Sequence, residues 1–161
     1  MKGIEVKILP GLLVQLHRLG APAPTEISIV PGNISSANNK QELTQSSESD
    51  TIRTLLTQNL IAHKDLFDDE GEIEYIQNYS DDWFGPCILI PIAATIQNPN
   101  VTSIILGLIT NYIYDAFKGS KGQSASLSII KETANGEFRS ISYNGPVEGL
   151  SELAEILKNA E

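Results

Sequence analysis

The sequence is poor in basic residues, sulfur and aromatics. Eleven Lys and Arg stand against twenty Asp and Glu, giving a net charge of -9 and a pI near 4.6. Phosphate neutralisation by basic side chains supplies most nucleic-acid affinity, so this balance argues against a nucleic-acid partner. A single cysteine, Cys87, excludes an internal disulfide, and one Cys with two His leaves too few soft ligands for a structural zinc site. Aromatic residues make up 6% of the chain. No basic, apolar and small-residue succession of a secretion signal follows Met1, so a cytoplasmic protein is expected. The longest apolar stretch, Val101 to Phe117, is bounded by Pro99 and Asn100 and carries Asn111 and Asp115. A bilayer core asks for about 20 predominantly apolar residues, so a core helix or a buried oligomer contact is expected there rather than a membrane span.

Catalytic spacings are also missing. Gly119-Ser120-Lys121-Gly122 lacks the Gly-Lys-Ser or Gly-Lys-Thr ending of a phosphate loop and follows a helical pattern rather than a strand. Cys87 opens an apolar run, the setting of an inert buried thiol, and neither His17 nor His63 is placed beside it by local sequence. No catalytic residue and no cofactor is assigned.

What is present is ordinary globular composition, 41% hydrophobic and 19% charged over 161 residues, enough for one domain with one core. From Gly3 to Leu9, Ile4, Val6 and Ile8 alternate with Glu5 and Lys7, predicting a strand with one buried face. Leu12 to Leu19 reads two ways, with Leu12, Leu16 and Leu19 suiting a helical face and Leu12, Val14 and Leu16 a strand, and a short helix is preferred. Glu26 to Val30 reads as a strand that could pair with the first. Residues 33–50 are rich in Ser, Asn, Gln and Glu, the composition of a flexible surface loop. Ser49 or Asp50 can cap a helix carrying Ile52, Leu55, Leu56 and Leu60 and ending near His63. Pro91 argues against a central strand within Cys87 to Ile96.

Val101 to Phe117, with Asn100 as cap, gives the strongest helix pattern through Ile104, Ile105, Leu108, Ile109, Tyr112 and Phe117, and Gly119 to Gly122 supplies its stop. Alternating Leu127 and Ile129, then Ile141 and Tyr143, flank Asn135-Gly136 and predict a β-hairpin. Pro146 suits the first turn of a last helix striped by Leu150, Leu153, Ile156 and Leu157. The expected fold is therefore α+β, with a small mixed sheet that includes the C-terminal hairpin, packed by an apolar helix at about 101–117 and a C-terminal helix at about 146–159.

Two clusters invite a functional reading. Asp65, Asp68, Asp69, Glu70, Glu72 and Glu74 could attract a hard cation, with Asp68, Asp69 and Glu70 as ligands of a metal-assisted hydrolase. The calcium-loop spacing fails, however: setting Gly71 at its sixth position places Leu66 first and Gln77 twelfth. A solvated charge run is the expected state and no metal is assigned. Trp83 and Phe84, between Asp81-Asp82 and the turn Gly85-Pro86, suit either interface anchors or core. Tyr112 and Tyr114 are candidate contacts for a partner, or for a small ligand enclosed by helix and sheet.

From Val101 to Glu161 the chain runs through an apolar helix with Asn111-Tyr112-Ile113-Tyr114-Asp115, a small basic linker, a hairpin ending Tyr143-Asn144-Gly145-Pro146, and a final helix. In this order it resembles small accessory proteins of bacterial conflict and antiphage systems, of the effector-associated constant component type. The resemblance implies an adaptor or sensor without catalysis. The expectation from the sequence is a non-enzymatic interaction protein that binds a protein partner or self-associates, with Trp83, Phe84, Tyr112 and Tyr114 at the contact; the alternatives are the metal-assisted hydrolase and the small-ligand binding module.

Overall fold

A computed structural model of the chain describes residues 3–67, 73–76, 82–118 and 122–159. It is α+β. Seven strands are described: β1 Gly3–Ile8, β2 Ser28–Val30, β3 Thr44–Ser46, β4 Glu74–Ile76, β5 Trp83–Ile90, β6 Ser124–Glu132 and β7 Phe138–Pro146. The helices are α1 Leu12–Arg18, α2 Ser49–Gln58, α3 Ile92–Gln97, α4 Val101–Ala116 and α5 Leu150–Asn159. The main sheet has the order β1-β7-β6-β5-β2, with β5 and β6 parallel and every other neighbour antiparallel; β3 and β4 form a separate parallel pair.

The middle of this sheet is buried on both faces. In β5, Ile88 and Ile90 enter one apolar cluster with Ile52 and Leu56 of α2, Ile105, Ile109 and Ile113 of α4, and Leu150 and Leu153 of α5. Cys87 and Leu89, alternating with them, enter a second cluster with Leu12 and Leu16 of α1 and with Ile34, Ala37 and Leu43. A strand covered on both sides reads as a continuous apolar run, which is why Cys87 to Ile90 lacks alternation. Pro91 does not weaken it. The proline stands one residue beyond the last ladder position, at the N-cap of α3, so β5 is central after all.

Other expectations need correction. β2 pairs with β5, at the opposite edge from β1, so the first two strands do not meet. Residues 33–50 are built around buried Ile34, Ala37 and Leu43, and Asn33 fixes the segment by accepting from Thr44 N and donating to Glu42 O. Three well-spaced apolar residues outweigh polar composition here. The α2 helix stops at Gln58; Leu60 is 94% exposed with φ of 58°, and neither Glu48 nor Asn100 caps a helix through its side chain. In the hairpin only Gly136 takes a positive φ, so the loop is a three-residue turn closed by Thr133 and Glu137 rather than a two-residue Asn-Gly turn. Pro146 ends β7 and precedes a single 3-10 turn, Val147–Gly149, that leads into α5. Gly119 to Lys121 and the side chain of Leu157 lie outside the described residues.

The α4 helix presents Val101, Ile105, Leu106, Ile109 and Ile113 to the core, whereas Ile104, part of the expected stripe, is exposed. Ile109→Ala should lower unfolding free energy by about 2–5 kcal/mol, and Ile104→Ala by no more than about 0.5 kcal/mol. Urea denaturation of the two variants checks the orientation; equal losses would contradict it.

Candidate interaction surface

The most open regular element is β1. Its partner on one side is β7, in an unbroken antiparallel register from Gly3 opposite Asn144 to Ile8 opposite Arg139. No strand among the described residues pairs with its other side. The phase of the ladder follows from one bond just beyond it: Leu9 N donates to Phe138 O at 2.9 Å. Bonded positions alternate in an antiparallel pair, so Glu5 and Lys7 direct their backbone polar groups to β7, while those of Ile4, Val6 and Ile8 point to the free edge.

Side chains alternate in the same step. Ile4 packs on the helix-covered face, but Val6 and Ile8 on that face are 51% and 55% exposed. The buried face expected for this strand is therefore covered only at Ile4, and there only in part, because the helices reach no further. Glu5 and Lys7 lie on the other face, their side chains paired at 3.2 Å. That face continues into a serine-lined surface over β7 and β6, where Ser128 and Ser142 share a hydrogen bond of 3.0 Å.

The aromatic candidates are not brought together. Trp83 is 5% exposed and joins the helix-side cluster, with its indole N–H donating to Glu48 Oε1 at 2.7 Å. Adjacent in a strand, Phe84 points to the opposite face and is 36% exposed; its carbonyl accepts from Ser46 Oγ at 2.6 Å. Tyr112 packs partly against the helix-side core, and Tyr114 is exposed beside a shallow cavity with Phe117, Gln123, Val147 and Glu148. Of the four, Phe84 and Tyr114 reach solvent substantially and Trp83 is a core residue.

The acidic segment is only partly described. Asp65 is held by Arg53 Nε at 3.2 Å, and the same guanidinium reaches Asp50 at 2.7 Å. Asp68, Asp69, Glu70 and Glu72 lie outside the described residues. Among the described residues no group of three His, Cys, Asp or Glu could hold a metal ion. Cys87 is buried, and desolvation pushes its thiol up to about 12, which leaves almost no thiolate near neutral pH. His63 is engaged with Thr57 Oγ1 at 2.9 Å.

One enclosed feature escaped sequence reasoning. A cavity of about 170 Å³ lies beyond the carboxyl ends of the parallel strands β5 and β6, lined by Ile92, Thr95, Thr133, Ala134 and Ile141 with the charged Lys131, Glu132 and Arg139. Thr95 Oγ1 is buried there without a hydrogen-bond partner. Only the β5–β6 pairing creates the site, and no local pattern announces it. No described helix is long and apolar enough to cross a membrane. No protein-family model, curated protein or solved structure matches the chain.

Gly85 lets the Trp83 ring lie across the strand, since an added Cβ would stand 2.2 Å from the ring. Gly85→Ala should displace the indole from Glu48, shift the emission of this single tryptophan to longer wavelength and cost about 1–3 kcal/mol. An unchanged fluorescence spectrum would show that the ring does not occupy this position.

Proposed function

We propose that this protein is a non-enzymatic interaction module that takes an extended polypeptide at the free edge of β1. The single observation carrying this reading is the conjunction along that edge: outward backbone groups at Ile4, Val6 and Ile8, and half-exposed apolar side chains at Val6 and Ile8. Unpaired edges template strand addition, in which backbone bonds give affinity and alternate side chains give selectivity. The exposed ring of Phe84 lies on the opposite face of the sheet and can add contact area for a larger partner. An accessory or adaptor role in a bacterial conflict system agrees with the order of elements in residues 101–161.

A second reading is supported by the cavity beside Thr95. Lys131 and Arg139 stand opposite each other across β6 and β7; Arg139 is paired with Glu137 at 2.7 Å and Glu132 is held by Ile92 N, and a small molecule with an apolar body and an acid group that exchanges into these pairs suits the site. The cavity adjoins the β1 edge on the helix side, since Ile141 lies opposite Val6 and Arg139 opposite Ile8.

Replacing Val6 with a photo-crosslinking phenylalanine analogue in the producing cell should yield covalent adducts with another polypeptide, and the same analogue at Leu60 should not. Equal yields at the two positions would remove the edge reading. For the cavity, short straight-chain carboxylates should raise the melting temperature of the wild-type protein, and Thr95→Val should reduce that rise without destabilising the unliganded fold, because the hydroxyl it removes has no partner. No shift with any carboxylate would eliminate the ligand reading.

A further inference from the structure

The β1 edge is complementary to itself. We propose that its partner is β1 of a second copy, paired antiparallel about a twofold axis at Val6, joining two sheets into one continuous sheet. This rests on the edge-binding reading and adds the identity of the occupant.

Three properties select that pairing and its register. Hydrogen-bond phase comes first: with Val6 opposite Val6, Ile4 falls opposite Ile8, so the outward-pointing residues of each copy meet one another and exchange about six backbone hydrogen bonds. A slip by one residue would set outward-pointing positions against residues whose polar groups are already spent on β7, and would mix the two faces.

Charge comes second. In this register Glu5 of each copy lies opposite Lys7 of the other, at the closer, non-hydrogen-bonded positions where side chains interact best. Slipping by two residues in one direction brings Glu5 against Glu5; slipping in the other brings Lys7 against Lys7. Only the register centred on Val6 places opposite charges at both positions, and the existing Glu5–Lys7 pair within each strand becomes a four-charge group.

Burial comes third. On the opposite face Val6 meets Val6 and Ile4 meets Ile8, which covers the two apolar side chains that the helices leave half exposed. A twofold contact of this kind uses the same patch on both copies and closes on itself, so it ends at a dimer.

The experiment is sedimentation equilibrium on the full chain over a range of concentrations. The wild-type protein should show a dimer mass. Glu5→Lys and Lys7→Glu should each raise the dimer dissociation constant about tenfold, through two like-charge contacts per dimer, and an equimolar mixture of the two variants should recover the wild-type constant. The double variant Glu5→Lys with Lys7→Glu should also recover it, because exchanging the charges again leaves opposite signs at both positions of the register centred on Val6. Val6→Cys should oxidise to a linked dimer, since directly opposed positions fall within disulfide range, while Glu5→Cys should not.

A wild-type monomer at all concentrations overturns the proposal, as does a dimer indifferent to both single charge variants, or a double variant no tighter than the singles. If the purified protein is monomeric while Val6 still crosslinks to a different polypeptide in the cell, edge binding stands and self-pairing falls.

Discussion

The parallel pairing of β5 with β6 is the contact on which the rest of the molecule depends. Parallel neighbours cannot be joined by a tight turn, so the chain must leave the end of β5, cross the sheet and return. That crossing is α3 and α4, and it lays the most apolar helix of the protein over the centre of the sheet. With α4 in place, α2 and α5 have a surface to pack against, and the hairpin β6–β7 is fixed beside β5 rather than floating as an independent pair. The second face is closed by α1 and by the turns of residues 31–48, so the Cys87 to Ile90 half of β5 is sealed from water on both sides.

Coverage then fades toward the far edge. Moving outward from β5 through β6 and β7 to β1, the side opposite the helices passes from Leu89 and Ile130 to a row of serines and finally to Glu5 and Lys7. The helix side fades likewise, from fully buried Ile129 and Ile141 to half-exposed Val6 and Ile8. The surface is acidic overall, yet this edge carries one charge of each sign, and that local balance sets it apart from the net charge of -9.

Elements with a single dominant period were legible from sequence. The helix at 101–116, the hairpin at 124–146 and the alternating β1 all announce themselves because each buries one stripe or face. Legibility failed where burial was two-sided or long-range. Cys87 to Ile90 has no alternation because both faces are covered, and Pro91 misled because its effect depends on whether the strand ends before it. Residues 33–48 look solvated by composition, but Ile34, Ala37 and Leu43 anchor them to the core. The aromatic pair was legible as notable and illegible in orientation: adjacent strand residues face opposite ways, so Trp83 and Phe84 could never share one contact. The edge itself had the right pattern and the wrong inference, since periodicity shows that a strand has an apolar face and says nothing about how far the covering helices extend.

The sheet joins the start of the chain to its end: Ile8 lies against Arg139. During synthesis β1 emerges long before β7 exists, and at translation speeds of about 5–20 residues per second it waits on the order of ten seconds for its permanent neighbour. Throughout that interval Ile4, Val6 and Ile8 lack their native neighbours in β7. The charges of Glu5 and Lys7 between them act as gatekeepers, lowering the tendency of nascent chains on one message to adhere before the fold can close.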